Sequence, residues 1–466
     1  MATSRAAIKV ERQPCRSGQT KMRFFSNVMV FPTANPNCHM VVNTHNKKAC
    51  LVEPDIARYV RNREIGRLVD TEPEIVSRFE ELGIVLNPDD NDTMDILESL
   101  KFNQRKVTSH NVTFVLTYAC NMDCFYCIEA GIDRRDKVPT NFFSSDENFA
   151  HVLEFLERRI IQKGSGIPIN MHWYGGEPLL KPKAMRLITD LMLARFPEHD
   201  ITSTITTNGT LVDDAALRIL KDSNTKVAQV TVDGTERTHN EIRYLKNTRA
   251  PTYQIVLSNI ERLSTIMRVV VRYNWNMDHG LEPIGEYYHN LHDRFGGNDN
   301  IEFYVIPTAA NSISCGSFFK LAQNKEQAAL LAKFIETDFK CRKSHGLPVK
   351  SMGYDVFNCS ANIEGNIVVS FNGDLYSCVS SVGKREAKIG NIEIGLNGKH
   401  QIFRDNLPID DECLACEFLL SCGGGCRYYA ATENNDIHSK HCNKKRSEII
   451  VRENYLKIFE NEIAAF

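Results

Sequence analysis

Three cysteines stand within eight residues, Cys120, Cys124 and Cys127, spaced C-x3-C-x2-C in the stretch NVTFVLTYACNMDCFYC at 111–127. An odd number of thiols so closely spaced cannot pair off internally, and such short loops make no useful disulfide framework. A metal or cluster is the chemistry that uses all three. Zinc sites generally come as two C-x2-C knuckles, and no second knuckle lies nearby. Iron–sulfur clusters are held by thiolates, and three protein ligands on a four-iron cubane leave one iron open. A β-type run from Val112 to Leu116 delivers the triplet onto a loop.

A second array lies near the C-terminus. Cys359 is followed by thirteen residues, Gly373, four residues and Cys378; then comes Cys413-x2-Cys416-x5-Cys422-x3-Cys426, and after fifteen intervening residues Cys442. Seven thiols exceed one four-ligand site, so two sites are implied, with a pair of zinc ribbons as the rival to clusters. The Asn372-Gly373 turn between apolar runs predicts a hairpin that brings Cys359 and Cys378 together. Between the two arrays, Trp173-Tyr174-Gly175-Gly176-Glu177-Pro178 ends a β-type run, and two adjacent glycines let backbone approach a ligand closely.

The triplet, with Tyr126 directly before its last cysteine, resembles the cluster motif of the radical S-adenosylmethionine (SAM) superfamily. Gly175, Gly176, Glu177 and Pro178 match that family's GGEP segment, and the C-terminal array matches the SPASM domain that follows many radical SAM barrels. The resemblance implies three 4Fe–4S clusters and SAM. The open iron of the first cluster would take the amino and carboxylate groups of SAM, with Tyr126 against the adenine and the Gly175–Pro178 backbone and Glu177 receiving the ammonium. Asn208, in Thr207-Asn208-Gly209, and Thr231, in Thr231-Val232-Asp233-Gly234, resemble segments lining the SAM pocket, although Asn-Gly and Asp-Gly are also strong turn pairs. His239 and Arg243 (HNEIR) resemble a segment of the peptide-modifying branch in which the arginine meets the SAM carboxylate; a surface helix would read the same way. Carried over from the SPASM domain, Cys413, Cys416, Cys422 and Cys442 hold an outer cluster, and Cys359, Cys378 and Cys426 an inner one. No cysteine lies at 360–377, so a fourth inner ligand would come from Cys341 or Cys315, or one iron stays open to a substrate thiolate. Cys15, Cys38 and Cys50 have no ligand spacing and read as ordinary thiols.

These groups need a scaffold. From 109 to 340 strand-like and helix-like patterns alternate six times, with strands at 168–174, 201–206, 227–233, 267–273 and 301–306 after the first. Alternation with β-branched strands predicts a parallel sheet, and six units are too few to close an eight-unit barrel. The fold class expected is α/β, a partial (βα)6 TIM-like barrel whose site lies at the carboxyl ends of its strands. Residues 1–22 read as a disordered tail. Residues 23–86 carry three short apolar runs and then helical patterns, suggesting a winged-helix-like module; 87–108 read as a linker, and 341–466 as the SPASM domain with a final amphipathic helix.

The chain has 466 residues, is 42% hydrophobic and 24% charged, and balances 56 basic against 58 acidic side chains, so nothing drives it toward nucleic acid. No apolar run reaches membrane-spanning length and the N-terminus has no signal-peptide core, so a cytoplasmic protein without membrane partner is expected. The resemblance then implies a peptide maturase that abstracts hydrogen from a ribosomally made precursor and installs a crosslink, a thioether first, a carbon–carbon or carbon–oxygen bond next. The leader of the precursor would bind the N-terminal module by β-augmentation, and a flavodoxin or ferredoxin would supply electrons. An anaerobic sulfatase-maturing enzyme is the alternative. Those enzymes generally begin near the cluster motif and resemble one another in an Asp after the second SPASM cysteine, whereas here 108 residues precede the motif's strand and Cys378 is followed by Val379, Ser380 and Ser381. An iron–sulfur transcriptional sensor is the alternative of another class.

Overall fold

The computed structural model describes residues 22–87, 90, 93–129, 132, 139–161, 166–308, 322, 324–348, 359–405, 409–434 and 436–466. Residues 1–21 of the expected tail and the candidate ligand Cys315 lie outside the described residues, as does Cys15.

The N-terminal part runs β1 (Arg23–Phe24), β2 (Val28–Pro32), β3 (His39–Asn43), β4 (Ala49–Val52), α1 (Pro54–Arg61), α2 (Ile65–Thr71), α3 (Pro73–Glu81) and β5 (Val85–Leu86). Strands β2, β3 and β4 form an antiparallel sheet in that order. Their sequences, VMVFP and HMVVN, are apolar on both sides because both faces are covered. Val28 and Val41 face the core beneath α1 and α3, whereas Met29, Phe31, Met40 and Val42 join the core of the rest of the protein. The stretch read as a linker contains a helix, α4 (Thr93–Arg105). Its acidic lead-in hides the signal, but Thr93 is buried and donates to Asn27 Oδ1 at 2.9 Å, and Leu97 enters the N-terminal core.

Six parallel strands follow: β6 (His110–Val115), β7 (Ile169–Tyr174), β8 (Ile201–Thr207), β9 (Thr225–Thr231), β10 (Arg268–Asn276) and β11 (Ile301–Thr308). The intervening helices are α5 (Asp146–Ile161), α6 (Pro182–Arg195), α7 (Asp214–Asp222), α8 (Glu236–Ile242), α9 (Tyr253–Ser264) and α10 (Glu282–Phe295), with α11 (Lys325–Ser344) after the last strand. Local chemistry sets their starts: Asp213 accepts from Ala216 N at 2.7 Å to cap α7, and Thr235 and Thr238 form a capping box on α8. The six strands lie in sequential order, as a partial barrel requires.

The C-terminal hairpin, β12 (Asn366–Ser370) and β13 (Asp374–Tyr376), extends this sheet rather than standing apart. β12 pairs in parallel with β6, and two further short strands bring the sheet to ten. One polar row fixes the register: Asn366, Asn111, Asn170 and Thr202 lie side by side across β12, β6, β7 and β8. Asn111 Nδ2 donates to Asn366 Oδ1 at 2.7 Å, Asn170 Nδ2 to Asn111 Oδ1 at 3.0 Å, and Thr202 Oγ1 to Asn170 Oδ1 at 2.8 Å. On the opposite face Val112, Phe114, Met171, Trp173 and Ile205 are buried in the main core, which is the alternation a strand imposes. The helix Lys444–Ile458 packs against α11, and no described helix is long and apolar enough to cross a membrane.

Candidate cofactor site

The three cysteines leave the end of β6, beside the loop that leaves β7. Gly176 N donates to Thr117 O at 2.9 Å and Glu177 N to Ala119 O at 3.0 Å, so the two loops are stitched backbone to backbone. The glycines are needed for that approach. A Cβ on Gly175, whose φ is +130°, would lie 2.3 Å from Thr117 O, and one on Gly176 would lie 2.3 Å from Ala119 O.

Glu177 is fully buried, and its carboxylate already has three donors from this chain: Leu179 N at 3.0 Å, Thr207 Oγ1 at 2.8 Å and Asn208 N at 2.7 Å. Burial nonetheless raises its pKa above the ordinary value. Its structural work is to cap the turn Pro178–Leu180 and tie β7 to β8; an ammonium would be a fourth donor on the same carboxylate. Asn208 is drawn to the cysteine loop, donating to Asn121 Oδ1 at 2.8 Å and lying 3.7 Å from Cys120 Sγ. Thr231 is buried at the end of β9.

Arg243 is not on a surface helix. It is buried just after α8, and its Nη1 donates to Tyr126 Oη at 2.7 Å with Asp233 Oδ2 at 3.6 Å. Tyr126 Oη also donates to Asp233 Oδ2 and accepts from Asn274 Nδ2 at 3.3 Å. His239 is buried too: its Nδ1 accepts from Asp233 N at 3.1 Å and its Nε2 faces Thr252 Oγ1 at 3.0 Å, while Thr252 Oγ1 donates to Arg243 O at 2.7 Å. That pattern assigns the proton to Nε2, and burial holds the ring neutral. Sequence reasoning passed over Asp233 and Asn274, reading Asp233 as a turn residue before Gly234.

The residues fit a bound cluster and a polar cofactor. Burial pushes the Cys120 thiol up to about 12, and Cys124 and Cys127 lie close enough to push it further. Thiols so placed become good ligands when a cation stabilises their thiolates. Two polar atoms beside them, Arg243 Nε and Asn274 Oδ1, are buried with no hydrogen-bond partner among the described residues, a donor and an acceptor that a polar ligand would satisfy.

The C-terminal thiols fall into two groups. Cys359, half-buried and with its thiol pushed up to about 12 by desolvation, has Cys378 and Cys426 as neighbours. Cys422, raised to about 11 by burial, has Cys442 and Cys416 as neighbours. Cys413 is more exposed beside Asp410 and Lys440, tied to this second group through Cys416 N, which donates to Cys413 O at 3.0 Å. Cys341, on α11, is raised by burial with Asp338 as its charged neighbour. Among the described residues no three His, Cys, Asp or Glu side chains converge as ligands of a single ion do; a cubane spreads its thiolates over separate irons.

A sequential parallel partial barrel with a three-thiol loop and a Gly-Gly loop side by side at the carboxyl ends of its first two strands defines a cofactor-dependent enzyme class. The family model of the Radical SAM superfamily matches residues 114–278, the segment that carries both loops. The serine-type anaerobic sulfatase-maturating enzyme of Klebsiella pneumoniae is 32% identical over 107 residues, 22% of this chain and 25% of the relative, so the match spans about a quarter of that protein's length. The cysteine-type anaerobic sulfatase-maturating enzyme of Clostridium perfringens (strain 13 / Type A) is 22% identical over 330 residues, covering 66% of this chain and 86% of its own. Among solved structures, native anSMEcpe with bound AdoMet superposes with a TM-score of 0.56 at 16% identity, covering 76% of this chain and 99% of that one, a likeness of fold.

Proposed function

We propose that this protein is a radical SAM maturase with a SPASM domain that abstracts a hydrogen atom from a ribosomally made precursor peptide and installs a crosslink, a thioether foremost. The observation that carries it is that Cys359 and Cys378 flank the β12–β13 hairpin, whose β12 continues the barrel sheet beside β6, the strand that bears the first cysteine loop, with Cys426 as a neighbour of Cys359. An inner site of three thiols beside the sheet that carries the first cysteine loop would put a thiolate-binding iron within the same catalytic body.

In this reading Cys120, Cys124 and Cys127 hold the cluster at which bound SAM supplies hydrogen-atom abstraction. Asn208, 3.7 Å from Cys120 Sγ, provides an amide hydrogen to that sulfur, a contact of the kind that tunes cluster potential. The backbone of Gly175 and Gly176 and the ring of Tyr126 orient the cofactor. Cys413, Cys416, Cys422 and Cys442 hold the outer cluster. β4 is an edge strand of a sheet covered on both faces, which leaves an edge for the leader of a precursor. A flavodoxin or ferredoxin supplies the electron. DNA binding is disfavoured: the exposed positions of α3 include Glu74, Ser77 and Glu81 and carry no basic recognition face.

A second reading, sulfatase maturation, is favoured by the names of the matched relatives. Against it, the residues after Cys378 form a turn in which Ser380 N donates to Cys378 Sγ at 3.3 Å and Ser381 Oγ to Cys378 O at 2.6 Å, and no carboxylate follows. Anaerobic co-expression with a short peptide encoded beside the gene, read by intact mass, separates the two. Loss of two hydrogens per modified site, abolished in Cys120→Ala, is expected. An unmodified peptide, together with an aldehyde formed on a sulfatase-derived peptide, would overturn the crosslinking reading.

A further inference from the structure

The buried polar set around Asp233 draws on several separate segments of the barrel. Its carboxylate is fully buried and is met by Tyr126 Oη from the cysteine loop, by Asn274 N at 3.0 Å from the end of β10, and by Arg243 from the end of α8. Its own backbone N–H is held by His239. Tyr126 lies between two cluster cysteines, and its hydroxyl has three partners, Asp233, Arg243 and Asn274. Three separate segments therefore converge on one side chain of the cofactor loop.

We infer that Asp233 and Arg243 are positioning residues that act through the Tyr126 hydroxyl to fix the cysteine loop and the tyrosine ring for SAM. The inference rests on the radical SAM reading of the site. It stands beside the expectation that Arg243 meets the SAM carboxylate: Nη1 is committed to Tyr126, while Nε keeps a donor for a ligand. Physically, a buried carboxylate and a buried guanidinium are each costly alone. Here each offsets the other, and the neutral phenol between them is the group both can hydrogen-bond. The hydroxyl thereby converts a flexible loop side chain into one with a single orientation, so that binding SAM need not order it.

The test is a double-mutant cycle in SAM affinity. Parent, Tyr126→Phe, Asp233→Asn and the double variant are reconstituted anaerobically; SAM binding is measured by calorimetry, with iron and sulfide content and thermal midpoint alongside. Each single variant is expected to weaken SAM by roughly tenfold or more, the worth of a charge-assisted hydrogen bond, with the iron content of the parent. The double variant should bind no worse than the weaker single one, because both remove the same link. Parent-like SAM affinity in Tyr126→Phe overturns the inference, as does strict additivity. If Asp233→Asn does not fold, Tyr126→Phe alone decides. A parent chain that holds iron but binds no SAM refutes the cofactor reading itself, and is distinguishable from a tight-binding parent whose Tyr126→Phe variant is unchanged.

Discussion

Leu420→Ala should loosen the N-terminal module even though the residue belongs to the C-terminal cysteine array. Leu419 and Leu420 lie between Cys416 and Cys422, are 2% and 1% exposed, and complete the core formed by Phe24, Phe25, Val28, Val41, Ile56, Val60 and Phe79. Polar contacts run the same way: Asn27 Nδ2 donates to Glu417 O at 3.2 Å and Thr44 Oγ1 donates to the same carbonyl. Truncating a buried leucine costs about 2–5 kcal/mol, a large part of the roughly 5–15 kcal/mol that holds a domain. Because the neighbours of Leu420 are in the module, the loss should appear there as local opening, speeding amide exchange by roughly 30- to 4,000-fold. Hydrogen exchange read by mass spectrometry should show it in β2, β3 and residues 413–424, with β7 and β8 unchanged. Leu414→Ala, at 39% exposure between Cys413 and Cys416, is the control and should stay within about 0.5 kcal/mol of the parent. Exchange that rises equally across the barrel, or nowhere, would refute the view that the array closes the module's core. The N-terminal module and the loop that bears Cys416 and Cys422 thus share one packed unit.

Two further outcomes follow from the site and the barrel. Gly176→Ala should displace the first cysteine loop, because its Cβ would meet Ala119 O at 2.3 Å; loss of SAM binding and of part, not all, of the iron that the proposed function assigns to the parent checks it. His172, on β7 with Nε2 2.9 Å from Thr206 Oγ1, has its pKa lowered by burial to about 4. The folded state thus resists a proton that the unfolded chain accepts near 6.5. Its contribution is complete above that value and is lost as pH falls toward 4, by about 3 kcal/mol in all. The gap in thermal midpoint between parent and His172→Asn should narrow over that interval; a constant gap would show that the ring is not held neutral.

The cysteine spacings, the Gly-Gly pair and the six-fold alternation of strand and helix are properties of short windows, and each window carries its own physical signal: thiol spacing, turn chemistry, a period of two or of about 3.6. The sequence by itself therefore determined the partial barrel, the place of the first cysteine loop at a strand end, and the Asn372-Gly373 hairpin. It could not show that β12 would join β6, because that pairing depends on an amide row shared by Asn111 and Asn366, 255 residues apart. Nor could it show that residues 93–105 fold as a helix, since that helix is anchored by Thr93 on Asn27. Asp233 looked like a turn residue because its chemical partners, Tyr126 and Arg243, come from other segments. The merging of the N-terminal module with the cysteine array rests on contacts such as Asn27 to Glu417, 390 positions apart. Local pattern fixes which elements form. Which polar groups find each other once those elements pack is decided by burial, where an unpaired charge or amide costs more than the ordering of its partner, and that is settled only in three dimensions.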